Sequence, residues 1–130
     1  MSAAATVAGK LAELGYTNVF TTPPSALVCC EPIVVSPGDW EREARLPDGS
    51  ERGREAVGVL VCCDDPRDAE VTCRACEREL RAARWDGAAG ADGLRLVSVD
   101  SGGAEHRGRD GSGRWLWGFS LECVVVRKIG

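Results

Sequence analysis

The closing stretch, from Gly113 to Ile129, constrains the fold of this chain more than any other. Trp115, Trp117, Phe119, Leu121, Cys123 and Val125 alternate there with the more mixed set Leu116, Gly118, Ser120, Glu122, Val124 and Val126. Successive side chains on a strand point to opposite faces, so the first set lines one face that requires burial. A helix would scatter the same residues around its circumference. The stretch therefore reads as one long strand, and it holds three of the six Trp and Phe residues in the chain. A sheet organised around it is the expectation.

Two further segments supply partners for that apolar face. Ala56-Val-Gly-Val-Leu-Val-Cys-Cys63 is a continuous, β-branched run, which predicts a central strand buried on both faces. Asp64-Asp65-Pro66 closes it, with Asp65 suited to cap a helix, Pro66 to its first position and Asp68 to its positive first turn. The helix is expected from about Pro66 to Trp85. Ala69, Cys73, Cys76, Leu80 and Ala83 recur in it at alternating steps of four and three, which forms one apolar stripe. A shorter helix is expected over Ala3–Gly15, from the spacing of Val7, Leu11 and Leu14 and a terminal glycine.

The remaining segments read as edges and connections. Tyr16–Phe20 is a short extended piece, and Thr22-Pro23-Pro24 is a stiff link. Ser25–Val35 is a strand interrupted at Pro32, which cannot donate to a ladder. Ser36-Pro-Gly-Asp39 and Leu46-Pro-Asp-Gly-Ser50 carry turn chemistry. Together with Trp40–Arg45 and Glu51–Glu55 they outline a charged hairpin arm at about residues 36–55. Gly87–Gly93 is a glycine-rich link, Leu94–Asp100 a strand, and Ser101–Gly113 a long polar connection to the closing strand. A chain of 130 residues can bury one core. The sum is a single α+β domain over residues 1–130: a mostly antiparallel sheet with two helices packed on one face, in the order α-β-β-β-α-β-β.

Several function classes are disfavoured by the residues alone. No apolar run approaches the roughly 20 residues of a membrane helix, and Met1–Lys10 lacks the pattern of a secretory signal. A net charge of -4 argues against general nucleic-acid binding. The seven cysteines are odd in number and include two adjacent pairs, Cys29-Cys30 and Cys62-Cys63, which does not suit a disulfide framework. Cys73-Arg-Ala-Cys76 has the internal spacing of a zinc knuckle. A zinc or thiol-redox site built from Cys62, Cys63, Cys73 and Cys76 is thus one reading. The other is that these are small buried hydrophobes, since both CxxC cysteines fall on the apolar helix stripe. The one histidine, His106, has neither a serine nor a cysteine motif beside it, and nothing in the residues argues for an enzyme or a cofactor. A partner-binding α+β domain is the plainest remaining class. Trp40, Arg42, Arg45, Arg52 and Arg54 on the hairpin are the candidate interface residues, with His106, Arg107, Arg109 and Asp110 in the connection, because aromatics and arginines are enriched at interfaces.

One local pattern goes further. Gly108-Arg-Asp-Gly-Ser-Gly-Arg114 runs directly into Trp115-Leu-Trp117 and Phe119. Together with the order of elements, this resembles the small tail-terminator and head–tail-joining proteins of tailed phages and prophages, in which a Gly-Arg-Asp-x-x-Gly-aromatic turn often leads into the last strand. The cysteine pairs are not part of that pattern. The resemblance implies a non-enzymatic virion-assembly protein: a homo-oligomeric ring, typically a hexamer, that caps the tail tube and meets the head connector. It implies tail-tube and head-connector proteins as partners, and a place in the bacterial cytoplasm during assembly and then in the virion tail, with no secretion. In such a ring the hairpin and the glycine-rich connection would be the two contact regions.

Overall fold

A computed structural model of the chain describes residues 3–24, 31–85 and 94–128. Cys29, Cys30, the first part of the Ser25–Val35 strand and the Gly87–Gly93 link lie outside the described residues. The architecture is α+β: helix α1 (Ala3–Glu13), strands β1 (Val19–Phe20), β2 (Ile33–Arg45) and β3 (Glu51–Cys63), helix α2 (Pro66–Ala82), then β4 (Arg95–Ser101), β5 (Glu105–Arg109) and β6 (Trp115–Arg127). The strands form one sheet in the order β1-β2-β3-β6-β4, with β5 also on β6 beyond β4. Among the described strands only the β1–β2 pair is parallel. No described helix is long and apolar enough to cross a membrane.

Strand β6 carries the alternation expected of it. Phe119, Leu121, Cys123 and Val125 are buried with Val57, Val59 and Val61 of β3, Ile33 and Val35 of β2, and Leu96. The helices close this core from one side, α1 through Val7 and Leu11 and α2 through Ala69, Cys73, Cys76 and Leu80. Asp65 caps α2, its Oδ1 accepting from the N–H groups of Arg67 and Asp68 at 2.8 and 3.1 Å. At the other end the helix stops at Ala82, three residues short of the expected Trp85. The buried Trp85 folds back, and its Nε1 donates to the Leu80 carbonyl. A carbonyl the ended helix leaves without its own partner is thereby satisfied. The two helices are tied by the Tyr16 hydroxyl, which donates to Glu79 Oε2 at 2.6 Å. Burial, with that carboxylate beside it, pushes the phenol far above its ordinary range.

Four expectations are corrected. Ser36–Asp39 is not a turn: β2 runs through it with a register shift between Pro37 and Trp40, and a second shift follows between Arg42 and Ala44. Among the described residues β1 pairs only with Ile33 and Val34, and Pro37 lies beyond that pairing on an edge position, where its missing N–H costs no described ladder bond. Gly38 passes so close to β3 that a Cβ would lie 2.8 Å from the Ala56 carbonyl oxygen. The hairpin is accordingly not a separate arm. β3 is one strand from Glu51 to Cys63, paired with β6 along its whole length from Glu51–Arg127 to Cys63–Trp115.

Nor is β3 buried on both faces. Ala56 is exposed and Gly58 and Leu60 half-buried on the side away from the helices. An antiparallel sheet tolerates such a wet face. The Ser101–Gly113 connection, finally, is partly sheet. β4 reaches Ser101 and β5 occupies Glu105–Arg109, adding a strand to the expected order. Glycine content disguised β5, because Gly108 sits at φ +97° within a bulge between His106 and Gly108.

Candidate functional site

The residues with interface chemistry gather at the two ends of β6 and on the bare face of the sheet. The first group forms where β6 ends beside the tip of the β2–β3 hairpin. Trp40 lies flat over Gly53, where any Cβ would come within 2.8 Å of its ring and 2.3 Å of the Glu41 carbonyl oxygen. The Arg127 guanidinium stacks on the same indole, 3.9 Å from its centroid. Its Nη2 also donates to Glu55 Oε1 at 2.5 Å. Glu55 is only 2% exposed, and its second oxygen accepts from the Ala3 N–H at 2.7 Å. A carboxylate from the sheet thus caps the positive end of α1. Arg42 pairs with Glu51 at 2.9 Å, and Arg45 is exposed beside the hairpin tip.

The second group forms where β6 begins. His106 on β5 sits with its ring centroid 5.8 Å from those of both Trp115 and Trp117. Arg109 covers Trp115 at 4.7 Å, and Arg74 from α2 covers Trp117 at 5.5 Å. Both tryptophans are half-buried against the core.

The turn that feeds this group explains the glycine-rich pattern residue by residue. Asp110 Oδ1 accepts from the N–H groups of Ser112 and Arg114 and from the Ser112 hydroxyl, while Oδ2 accepts from Arg114 Nε at 2.7 Å. Arg109 clamps the far side, donating Nε and Nη2 to the Gly113 carbonyl at 3.1 and 2.9 Å. Gly113, at φ +85°, supplies the left-handed step. Partial desolvation, the largest single influence, pushes the Asp110 carboxyl up. The Arg114 N–H, its guanidinium and the Ser112 hydroxyl outweigh it and hold the group down at about 2.

The bare face carries a groove of about 560 Å³ lined by Asp39, Glu41, Asp100, Glu122 and Arg54, among others. Arg54 is held by Glu43 at 3.2 Å and by Glu122. Arg52 is exposed on β3 two residues before Arg54. Arg107 pairs with Glu105 at 3.1 Å and approaches β6 at Gly118.

The nine candidate residues therefore divide among three surfaces. Trp40, Arg42 and Arg45 lie at the hairpin end, Arg52 and Arg54 on the bare face, and His106, Arg109 and Asp110 at the turn end, with Arg107 between the last two. Arg74, Glu55 and Arg127 escaped the sequence reading as site residues, as did Trp115 and Trp117, which it placed in the core strand. For Glu55 and Arg127 a signal existed: each is a charged residue continuing an apolar parity, Val57–Val59–Val61 on β3 and Phe119–Leu121–Cys123–Val125 on β6. For Trp115 and Trp117 alternation alone predicts core, and only the placement of α2 and β5 decides how much of each ring is covered.

The cysteines have a different character. Burial pushes the thiols of Cys63, Cys73 and Cys123 up to about 12 and that of Cys76 to about 11. A thiol held protonated is neither a nucleophile nor a ready metal ligand. Among the described residues no three His, Cys, Asp or Glu side chains are grouped to hold a metal ion. No protein-family model matches the chain, and no curated protein matches it significantly.

Proposed function

We propose that this chain is a structural assembly subunit of a phage or prophage, a ring-forming tail terminator that closes the tail tube and joins it to the head connector. One observation carries the reading. Two dissimilar Trp–Arg surfaces lie at opposite ends of the same strand, twelve residues and roughly 40 Å apart. A closed ring is built from a heterologous contact, which needs two different patches on opposite sides of each subunit. Tryptophan and arginine dominate the residues that hold such contacts together. The turn that resembles the tail-terminator pattern lies within one of the two surfaces, and every residue of it that bears a side-chain bond serves to fix that surface. The buried thiols favour no redox or zinc reading beside this one. The subunit would act in the bacterial cytoplasm during assembly and afterwards in the virion tail, in contact with tail-tube and connector proteins.

Light scattering and negative-stain microscopy of the concentrated protein test the assembly. Closed rings of uniform subunit number are expected. A chain that stays monomeric at the highest attainable concentration, or that grows open filaments, refutes it. Sequencing the genes on either side tests the biological setting: tail-tube and tape-measure genes support it, and a metabolic operon sinks it.

A further inference from the structure

We infer that the contact between neighbouring copies joins the turn-end surface of one subunit, Trp115, Trp117, His106, Arg74 and Arg109, to the acidic groove on the bare sheet face of the next. The inference rests on the ring reading and specifies its interface: the turn end is one patch, the groove takes the place of the hairpin end as the other, and the Trp40–Arg127 surface is left for the tube or the connector. Charge complementarity carries it. The groove is lined by four carboxylates, Asp39, Glu41, Asp100 and Glu122, against one arginine that is already bound to Glu43 and Glu122. The turn-end surface presents two guanidinium groups over indoles, Arg109 on Trp115 and Arg74 on Trp117, Arg74 also pairing through Nε with Glu70 at 2.9 Å. Stacking uses the flat face of a guanidinium and leaves edge N–H groups to meet a carboxylate. Arg109 directs two of its donors to the Gly113 carbonyl, which holds the group in place over Trp115 rather than loose in solvent.

Shape agrees with charge. The groove floor is made of short side chains, Ala56 and Ser120, on β3 and β6, so a projecting hairpin can approach the sheet closely. The turn-end surface is such a projection, the last feature of the β5–β6 hairpin. Because one surface is an end and the other a face, each subunit meets its successor at an angle, and successive rotations can close a circle.

The test uses two variants of the full chain. Asp100→Arg with Glu41→Arg reverses the groove and leaves the turn end intact. Arg74→Glu with His106→Glu reverses the turn-end charge and leaves the groove intact, sparing Arg109 and the turn it holds. Circular dichroism melts identify any variant that fails to fold, and Arg74→Gln with His106→Gln then replaces the second. Sedimentation velocity is expected to show each variant alone as a monomer, with self-association weakened by roughly a hundredfold from like-charge contact. An equimolar mixture brings opposite charges together at both contacts, intact turn end to intact groove and reversed turn end to reversed groove, and is expected to assemble where neither variant does alone. That mixed assembly should weaken as salt is raised. Variants that still assemble as the wild type does overturn this interface while leaving the ring reading standing. A wild-type chain that never associates overturns both.

Discussion

Glu55 is the residue whose removal should be felt most widely for its size. Its two oxygens serve two elements: one takes the Arg127 guanidinium, the other the Ala3 N–H at the start of α1. Glu55→Ala removes both bonds. Hydrogen bonds to charged groups contribute about 1.5–3 kcal/mol each. The Arg127 side chain remains 29% exposed and can recover part of its loss from water, whereas the orphaned N–H lies at the buried Ala3. The expected destabilisation is therefore about 3 kcal/mol, a fall in Tm of about 10 °C for a domain of this size. Urea unfolding followed by tryptophan fluorescence measures it. Hydrogen exchange should localise the damage, with protection lost over α1 before it is lost over β6. Glu55→Gln keeps an oxygen for the helix but no charge for Arg127, and should cost about half as much. A double-mutant cycle with Arg127→Met should return a coupling of about 1 kcal/mol or more. If Glu55→Ala changes stability by less than about 0.5 kcal/mol, the proposed cap and ion pair are not holding α1 to the sheet.

Other outcomes follow from the same geometry. Gly53→Ala should destabilise by about 1–3 kcal/mol in urea unfolding, because its Cβ would meet backbone at Glu41 as well as the Trp40 ring; a neutral result would mean Trp40 does not lie on β3. Phe119→Ala should cost about 3–5 kcal/mol and Trp117→Ala distinctly less, since Phe119 is 1% exposed and Trp117 only half-buried; the reverse order would place the core elsewhere. The Asp110 carboxyl is held low when folded, so its contribution is complete above the ordinary value of 3.8 and lost as pH falls from there toward about 2. Across that window the Arg114 amide should lose hydrogen-exchange protection in wild type and show no such titration in Asp110→Asn. Cys63, Cys73, Cys76 and Cys123 should resist alkylation at neutral pH until the protein is unfolded, as residue-resolved mass spectrometry would register; rapid native labelling of Cys73 or Cys76 would contradict their burial.

How much of this was legible in the sequence depends on which physical signal wrote each feature. Period-two alternation marked β6, and the Asp65-Pro66 start with its four-and-three stripe marked α2, because burial and capping act locally. Ser36-Pro37-Gly38-Asp39 misled because turn chemistry and edge-strand chemistry use the same residues; Pro37 is harmless because, among the described residues, β1 pairs only as far as Val34. β5 was hidden because its pairing with β6 is satisfied by backbone, and backbone pairing leaves little trace in side chains. The candidate surfaces were half legible. Hairpin and turn were flagged from their own residues, but Arg74 reaches Trp117 from another element, and the groove assembles carboxylates from β2, β4 and β6. No single stretch of chain announces a site of that kind.

Because both end surfaces ride on β6, that strand works as a ruler between them. Adding one residue within it would turn every following side chain to the opposite face, sending Arg127 away from Trp40 and Glu55. Adding two would preserve the faces and lengthen the ruler by roughly 7 Å. β3 is paired with β6 at every position from Glu51 to Cys63, so it would have to grow by the same step. Length changes in the centre of this sheet are thus permitted only in matched, even increments, whereas a change within the Leu46–Ser50 turn, which lies beyond the paired strands, leaves their register untouched. A change of subunit span in this architecture would have to arrive as a coordinated change in two strands.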